Sequence, residues 1–262
     1  MKVLIVIPVY NPPQMFLSDV LPRLGTQSVQ TDILIINSGS PIPTDEHEVI
    51  NIDKKAFNHA NTRNMALNYE ADFYLFMTQD ATPYNNQLIS ELTKVFSDPE
   101  VVAAYARQIP YADADPIERF ARETNYPPDS KVKSIKDLSE LGIKTFFSSD
   151  SCAMYRGSYF RNIGGFKKDL NTNEDMEFAS RAIMDGKKVA YCADAMVYHS
   201  HQFTFLQIWN RYCEIGTFFA RHKSILDIVS EHSKAESTGI KQALSELKHL
   251  ALNAPAWIPR SH

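Results

Sequence analysis

The stretch FYLFMTQDATP, Phe73 to Pro83, is a run of apolar and aromatic residues that stops abruptly at Thr78, Gln79 and Asp80. A buried strand that ends on a carboxylate places a hard-oxygen ligand at its tip, the donor type that Mg²⁺ or Mn²⁺ takes. The plainer reading of Asp80 is an Asx turn or a cap ahead of Pro83. What separates the two is whether other strands also end in polar clusters.

They do. Val3 to Val9 is a β-branched run that ends in Pro8, Val9, Tyr10 and Asn11, and Asp32 to Asn37 (DILIIN) ends in the turn-rich SGSPIPTD. Such continuous runs suit strands buried on both faces. Pro12 and Pro13 open a helix with Leu17, Val20, Leu21 and Leu24 at helical spacing and Gly25 near its end. VINI reads as a third strand, NTRNMALNY as a helix, NQLISELTKVF as the helix after Asp80, and VVAAYAR as a fifth strand. This alternation predicts an α/β fold with a mostly parallel sheet, and such sheets bind ligands at the carboxyl ends of their strands. GxGxxG and GxxxxGK[ST] are both absent, which excludes a dinucleotide fingerprint and a P-loop.

Asp113 to Lys144 is polar and reads as less regular, either a mobile lid or an acceptor-binding insert. Pattern returns with FFSSDSCAMYR, then NIGGF, then the helix NTNEDMEFASRAIMDG, then the strand KVAYCADAMVYHSH. From Phe203 the chain is rich in aromatics. Ile208, Tyr212, Ile215 and Phe219 form one helical stripe, and Ile240, Leu244, Leu247 and Ala251 a shorter one.

The 262 residues, 44% hydrophobic and 22% charged, suffice for one large domain with an extension. A net charge of −4 argues against a nucleic-acid partner. Cys152, Cys192 and Cys213 are odd in number and far apart, which predicts reduced thiols in a cytoplasmic protein. The N-terminal run MKVLIVIPVYNPP is too short for a membrane span.

Three further groups of residues carry candidate chemistry. Glu174 and Asp175 are adjacent at a helix start, so only one faces a pocket cleanly. It offers a general base, the plainer role being charge that complements the helix dipole. His199 and His201 alternate at a strand end and point to one side, as metal ligands or as surface histidines. Arg63 and Asn64, in a helix behind a capping Asn61 or Thr62, suit a diphosphate or simply the surface.

In order, VIPVYN, INSGS, NTRNMAL, TQDA, IGGF with NEDMEF, and YHSH resemble the family 2 glycosyltransferases of the GT-A fold, over about Met1 to Arg221. FNHANTRN, TQDA and YHSHQFTFLQIWNRYCEIG look most like the bacterial rhamnosyltransferase branch, which builds O-antigens and other cell-wall polysaccharides. The resemblance implies a Rossmann-like mixed sheet flanked by helices over residues 1–202. Residues 203–262 form a helical extension that contacts membrane, acceptor or a second subunit.

It further implies that Pro8, Val9, Tyr10, Asn11, Asn37 and Ser38 line the nucleotide base. Arg63 and Asn64 sit by the diphosphate, and Thr78 and Gln79 by the donor. Asp80 holds Mg²⁺ or Mn²⁺ with His199 or His201, and Asp175 is the base, with Glu174 beside it. The expected activity is inverting transfer of L-rhamnose from dTDP-β-L-rhamnose to a lipid-linked glycan at the inner membrane face. The alternatives are a UDP-galactose or UDP-N-acetylglucosamine donor, or a binding partner without turnover. Three positions depart from the family pattern: Thr78 replaces the first aspartate of DxD, Ala60 a glycine, and Ser38 a frequent carboxylate. A neutral Thr78 suits a deoxyribose, which lacks one hydroxyl.

Overall fold

A computed structural model of the protein describes residues 1–201 and 203–232. Its nine strands are β1 (Val3–Val9), β2 (Thr31–Asn37), β3 (Glu48–Asn51), β4 (Phe73–Met77), β5 (Thr82–Pro83), β6 (Val101–Ile109), β7 (Lys131–Lys133), β8 (Cys152–Arg156) and β9 (Lys188–Tyr198). They form one sheet in the order β3-β2-β1-β4-β8-β6-β9-β5, with β7 also paired to β9. The helices are α1 (Leu21–Gly25), α2 (His59–Arg63), α3 (Leu88–Lys94), α4 (Pro116–Asn125), α5 (Leu138–Leu141), α6 (Gly157–Asn162), α7 (Glu174–Met184), α8 (Phe205–Arg221) and α9 (Lys223–His232).

The period-2 geometry of a strand sends successive side chains to opposite faces, and here both faces are covered. Val3, Ile5, Ile7 and Val9 of β1 join Phe16, Leu24, Leu88 and Leu92 from the helices of one face. Leu4 and Val6 join Phe160, Phe178, Ala182 and Ile183 from α6 and α7 on the other. That is why β1 reads as unbroken apolar sequence instead of alternating.

The sheet is less parallel than the βα alternation predicts. β1 pairs in parallel with β2 and β4, and β2 with β3, but β8 runs antiparallel to both β4 and β6. Two reversals cancel, so β6 and its parallel partner β9 point the same way as β4. The ends of β1, β2, β4, β6 and β9 and the start of β8 therefore share one edge, with Met77 beside Cys152 and Ile109 beside Tyr198.

The middle segment is more regular than its polarity suggests. Asp115 caps α4 by accepting from the Glu118 N–H at 2.8 Å, with Pro116 in the first turn, and β7 and α5 follow. The helix expected over Asn61–Tyr69 is instead α2 continued by a 3₁₀ turn over Asn64–Asn68. On α8, Ile208, Ile215 and Phe219 are half-buried as expected, but Tyr212 is 66% exposed and Phe218 is buried in its place. The stripe from Ile240 to Ala251 lies outside the described residues.

Candidate active site

Asp80, in the turn after β4, meets the two histidines that follow β9. His199 Nε2 lies 3.5 Å from Asp80 Oδ1 and His201 Nδ1 3.5 Å from Oδ2. One ligand atom from each of the three falls within 4.8 Å of the others. The tautomer of His199 is set from behind. Arg122 only donates, so the Gln108 atom it meets at 2.7 Å is the amide oxygen. That oxygen also faces His199 Nδ1 at 2.7 Å, which fixes the ring proton on Nδ1.

Nε2 then faces the Asp80 carboxylate, buried with no hydrogen-bond partner. A divalent metal between Nε2 and the carboxylate would satisfy both, and one carboxylate with two imidazoles is a donor set that fits such an ion. Burial opposes ionisation of Asp80, but His199 first, then His201 and Thr78, hold it well below the usual carboxylate range. Burial lowers His201 to about 4, so it is neutral and able to ligate at neutral pH.

A second cluster forms where the segment before β8 meets α7. Asp175 Oδ1 accepts the Met176 N–H at 2.7 Å and Oδ2 the Asp150 N–H at 3.2 Å. Burial, then the charge of Glu174, raises Asp175 to about 6, against the two amides and Arg63. Glu174 is buried and accepts from Arg63 Nη1 at 2.8 Å. Arg63 Nε lies 3.5 Å from Asp150 Oδ2, and the Tyr155 hydroxyl donates to Asp150 Oδ1 at 2.6 Å. Three carboxylates thus surround one guanidinium. Asp175, the one that stays half-exposed, is the group able to exchange a proton with a ligand.

Several residues expected at the donor are engaged within the protein itself. Arg63 is 3% exposed and committed to the carboxylates, not open to a diphosphate. Asn64 clamps the NIGGF loop, donating to Phe166 O and accepting from its N–H at 2.8 Å each. Asn37 is fully buried and donates to Ser40 O and to Asn51, while Ser38 donates to Val9 O. Asn11 accepts from the Ser40 N–H, and Gln79 bonds both backbone groups of Tyr10. Val9 packs in the core, and Pro8 is half-buried in β1. The Thr78 hydroxyl is buried beside Asp80 and helps to hold that carboxyl low.

Tyr10 remains exposed, its ring 4.3 Å from Lys54 Nζ and its hydroxyl accepting from that amine at 2.8 Å. Sequence reasoning missed Asp150, Gln108 and Lys54. Asp150 and Gln108 carry no motif, and their roles depend on the β8 reversal and on α4. Lys54 stood beside the third strand with only its charge as a signal.

The model of a family described as glycosyl transferase family group 2 matches residues 85–221. The O-antigen chain rhamnosyltransferase RfbN of Salmonella typhimurium is 40% identical over 271 residues, spanning all of this chain and 85% of that protein. The chain belongs to glycosyl transferase family group 2. A second family member, the O-antigen chain rhamnosyltransferase WbaN of Salmonella anatum, is 38% identical over 98% of this chain and 84% of its own.

The fold is GT-A. The mannosyltransferase PcManGT from Pyrobaculum calidifontis, solved with GDP-Man and Mn²⁺, superposes with a TM-score of 0.64 at 16% identity, over 96% of this chain and 75% of that one. TarS 1-349 of S. aureus gives 0.59 at 14% identity, over 98% and 74%. This glycosyltransferase shares the sheet of both.

Proposed function

We propose that this glycosyltransferase moves L-rhamnose from dTDP-β-L-rhamnose to a lipid-linked O-antigen acceptor, with inversion at the anomeric carbon. The observation that carries the reading is the end-to-end likeness to RfbN and WbaN, both O-antigen chain rhamnosyltransferases. Asp80 follows β4, and Asp175 accepts from Asp150 just ahead of β8, so both stand at one edge of the sheet. Residues 1–202 supply the transferase domain, and residues 203–262 the extension that contacts membrane, acceptor or a second subunit. The reaction runs in the cytoplasm at the inner face of the membrane.

Asp175 takes the proton of the acceptor hydroxyl, whose oxygen attacks the anomeric carbon from the face opposite the leaving diphosphate. Glu174 and Asp150 hold Arg63 behind it and keep that carboxylate aimed into the cleft. Asp80, His199 and His201 would hold Mg²⁺ or Mn²⁺, which when bound neutralises charge on a departing diphosphate. Tyr10, with Lys54 against its ring, offers a face for the nucleotide base.

A thermal-shift panel with Mn²⁺ tests the donor. At a hundredfold excess over Kd, dTDP-β-L-rhamnose should raise Tm by about 5–10 °C, with little effect from UDP-galactose or UDP-N-acetylglucosamine. A shift with a UDP-sugar and none with dTDP-rhamnose overturns the assignment.

A further inference from the structure

Behind the metal-ligand cluster, on the far side of Gln108, lies a cavity of about 230 Å³ lined by Arg107, Gln108, Arg119, Arg122, Glu123 and Tyr126. Three guanidiniums in one small cavity are costly unless anions balance them. Arg122 is balanced by Glu118, at 2.5 Å, and by the Gln108 oxygen. Among the described residues the Arg119 side chain donates only to the backbone oxygen of Ala112, at 3.2 Å. Among the described residues no carboxylate forms an ion pair with Arg107 or Arg119. Even counting Glu118 and Glu123, the site keeps an excess of positive charge.

Arg107 is delivered there by a break in pairing. Ala106 pairs with Cys192 but Arg107 with Met196, a bulge of the kind that re-aims a side chain beside a functional site. Guanidinium groups converging on a concave site match the planar, multidentate geometry of phosphate oxygens. The site is also tied to the reaction centre: one Gln108 oxygen joins Arg122 to His199, and the His201 N–H donates to Glu118 at 3.2 Å.

We infer that this cavity is an anion subsite for the phosphate of the acceptor, separate from the donor diphosphate at the Asp80 cluster. The inference rests on the proposed lipid-linked acceptor and names the group by which it is held. A phosphate bound here would anchor the acceptor through its lipid-borne end. It would also favour lipid-linked acceptors over free glycans.

Titration calorimetry in EDTA tests it, with farnesyl diphosphate as the lipid-phosphate probe and inorganic phosphate as the headgroup alone. The variant is Arg107→Gln/Arg119→Gln, which spares Arg122 and so the Gln108–His199 link. Farnesyl diphosphate should bind the wild type and weaken at least tenfold in the variant. Weak or no binding of inorganic phosphate marks the lipid-borne group as the ligand, whereas tighter binding of inorganic phosphate than of farnesyl diphosphate overturns that assignment. Equal binding of farnesyl diphosphate by both proteins, or none by the wild type, overturns the subsite. dTDP with Mn²⁺ should bind both proteins alike. A loss there in the variant would assign the cavity to the donor and overturn the inference. Failure of dTDP to bind either protein would strike the donor reading instead, leaving the farnesyl diphosphate result to decide the subsite.

Discussion

Glu174 and Asp175 are chain neighbours with opposite surroundings, and their substitution should separate them. Glu174 is buried against Arg63, so Glu174→Ala leaves a guanidinium short of charge and should cost on the order of 3 kcal/mol of stability, read by urea denaturation. Asp175→Asn should leave the fold and donor binding nearly unchanged while lowering single-turnover transfer by about 10²–10⁴-fold. Unchanged turnover removes Asp175 as the base. Its pKa, raised by burial and by Glu174 to about 6, sets the pH dependence. The base works only when ionised, so transfer should be flat above that value and fall about tenfold per unit below it. Asp80→Asn should abolish the difference in dTDP affinity between Mn²⁺ and chelator, because it removes the anionic member of the Asp80–His199–His201 set. A variant that keeps a full metal effect refutes the ligand role. The positions of Asp80 and the histidines at strand ends and of Asp175 at a helix start were legible because such ends are marked in sequence. Arg63 and Asn64 were placed correctly at a helix but misread in role, since pairing with Glu174 and Phe166 across more than 100 positions leaves no local trace.

The elements that hold these residues depend on a few tight approaches. Gly165 has φ +76°, and a Cβ there would stand 2.4 Å from Asn64 Oδ1, the atom that accepts the Phe166 N–H. Gly165→Ala must therefore both adopt a left-handed backbone and push Asn64 away. A loss of about 1–3 kcal/mol is expected from thermal unfolding, with transfer reduced as well because this loop leads into α7 and Asp175. A variant as stable and active as wild type would show that the Asn64 clamp does not position α7. Buried strands and the α7 start were readable from apolar runs and turn residues. α4 was readable too, from Asp115 with Pro116 and Glu118, but the polarity of the segment hid it. β8 could not be assigned a direction from sequence: a five-residue apolar strand looks the same either way, and its antiparallel pairing follows from how the chain returns through α5.

At the scale of the whole molecule, the double reversal about β8 gathers the reaction centre at one edge, and α8 starts four residues past His201. The helix buries Phe218 but leaves Leu206 66%, Trp209 60% and Tyr212 66% exposed. No helix among the described residues is long and apolar enough to cross a membrane. An exposed Trp–Tyr–Leu face instead suits the headgroup layer, where amphipathic rings sit with one end apolar and the other wet. Such contact would bring the cavity to the surface that carries a lipid-linked acceptor. Wild-type protein should then float with liposomes of anionic lipid, and Trp209→Ser/Tyr212→Ser should remain in the soluble fraction while keeping its turnover of a short-chain, water-soluble acceptor. Light scattering decides the rival role of the same face. If the wild type is a dimer that the double substitution splits, and neither protein floats, the face pairs subunits, and delivery of the acceptor must depend on the Arg107–Arg119 cavity without help from α8.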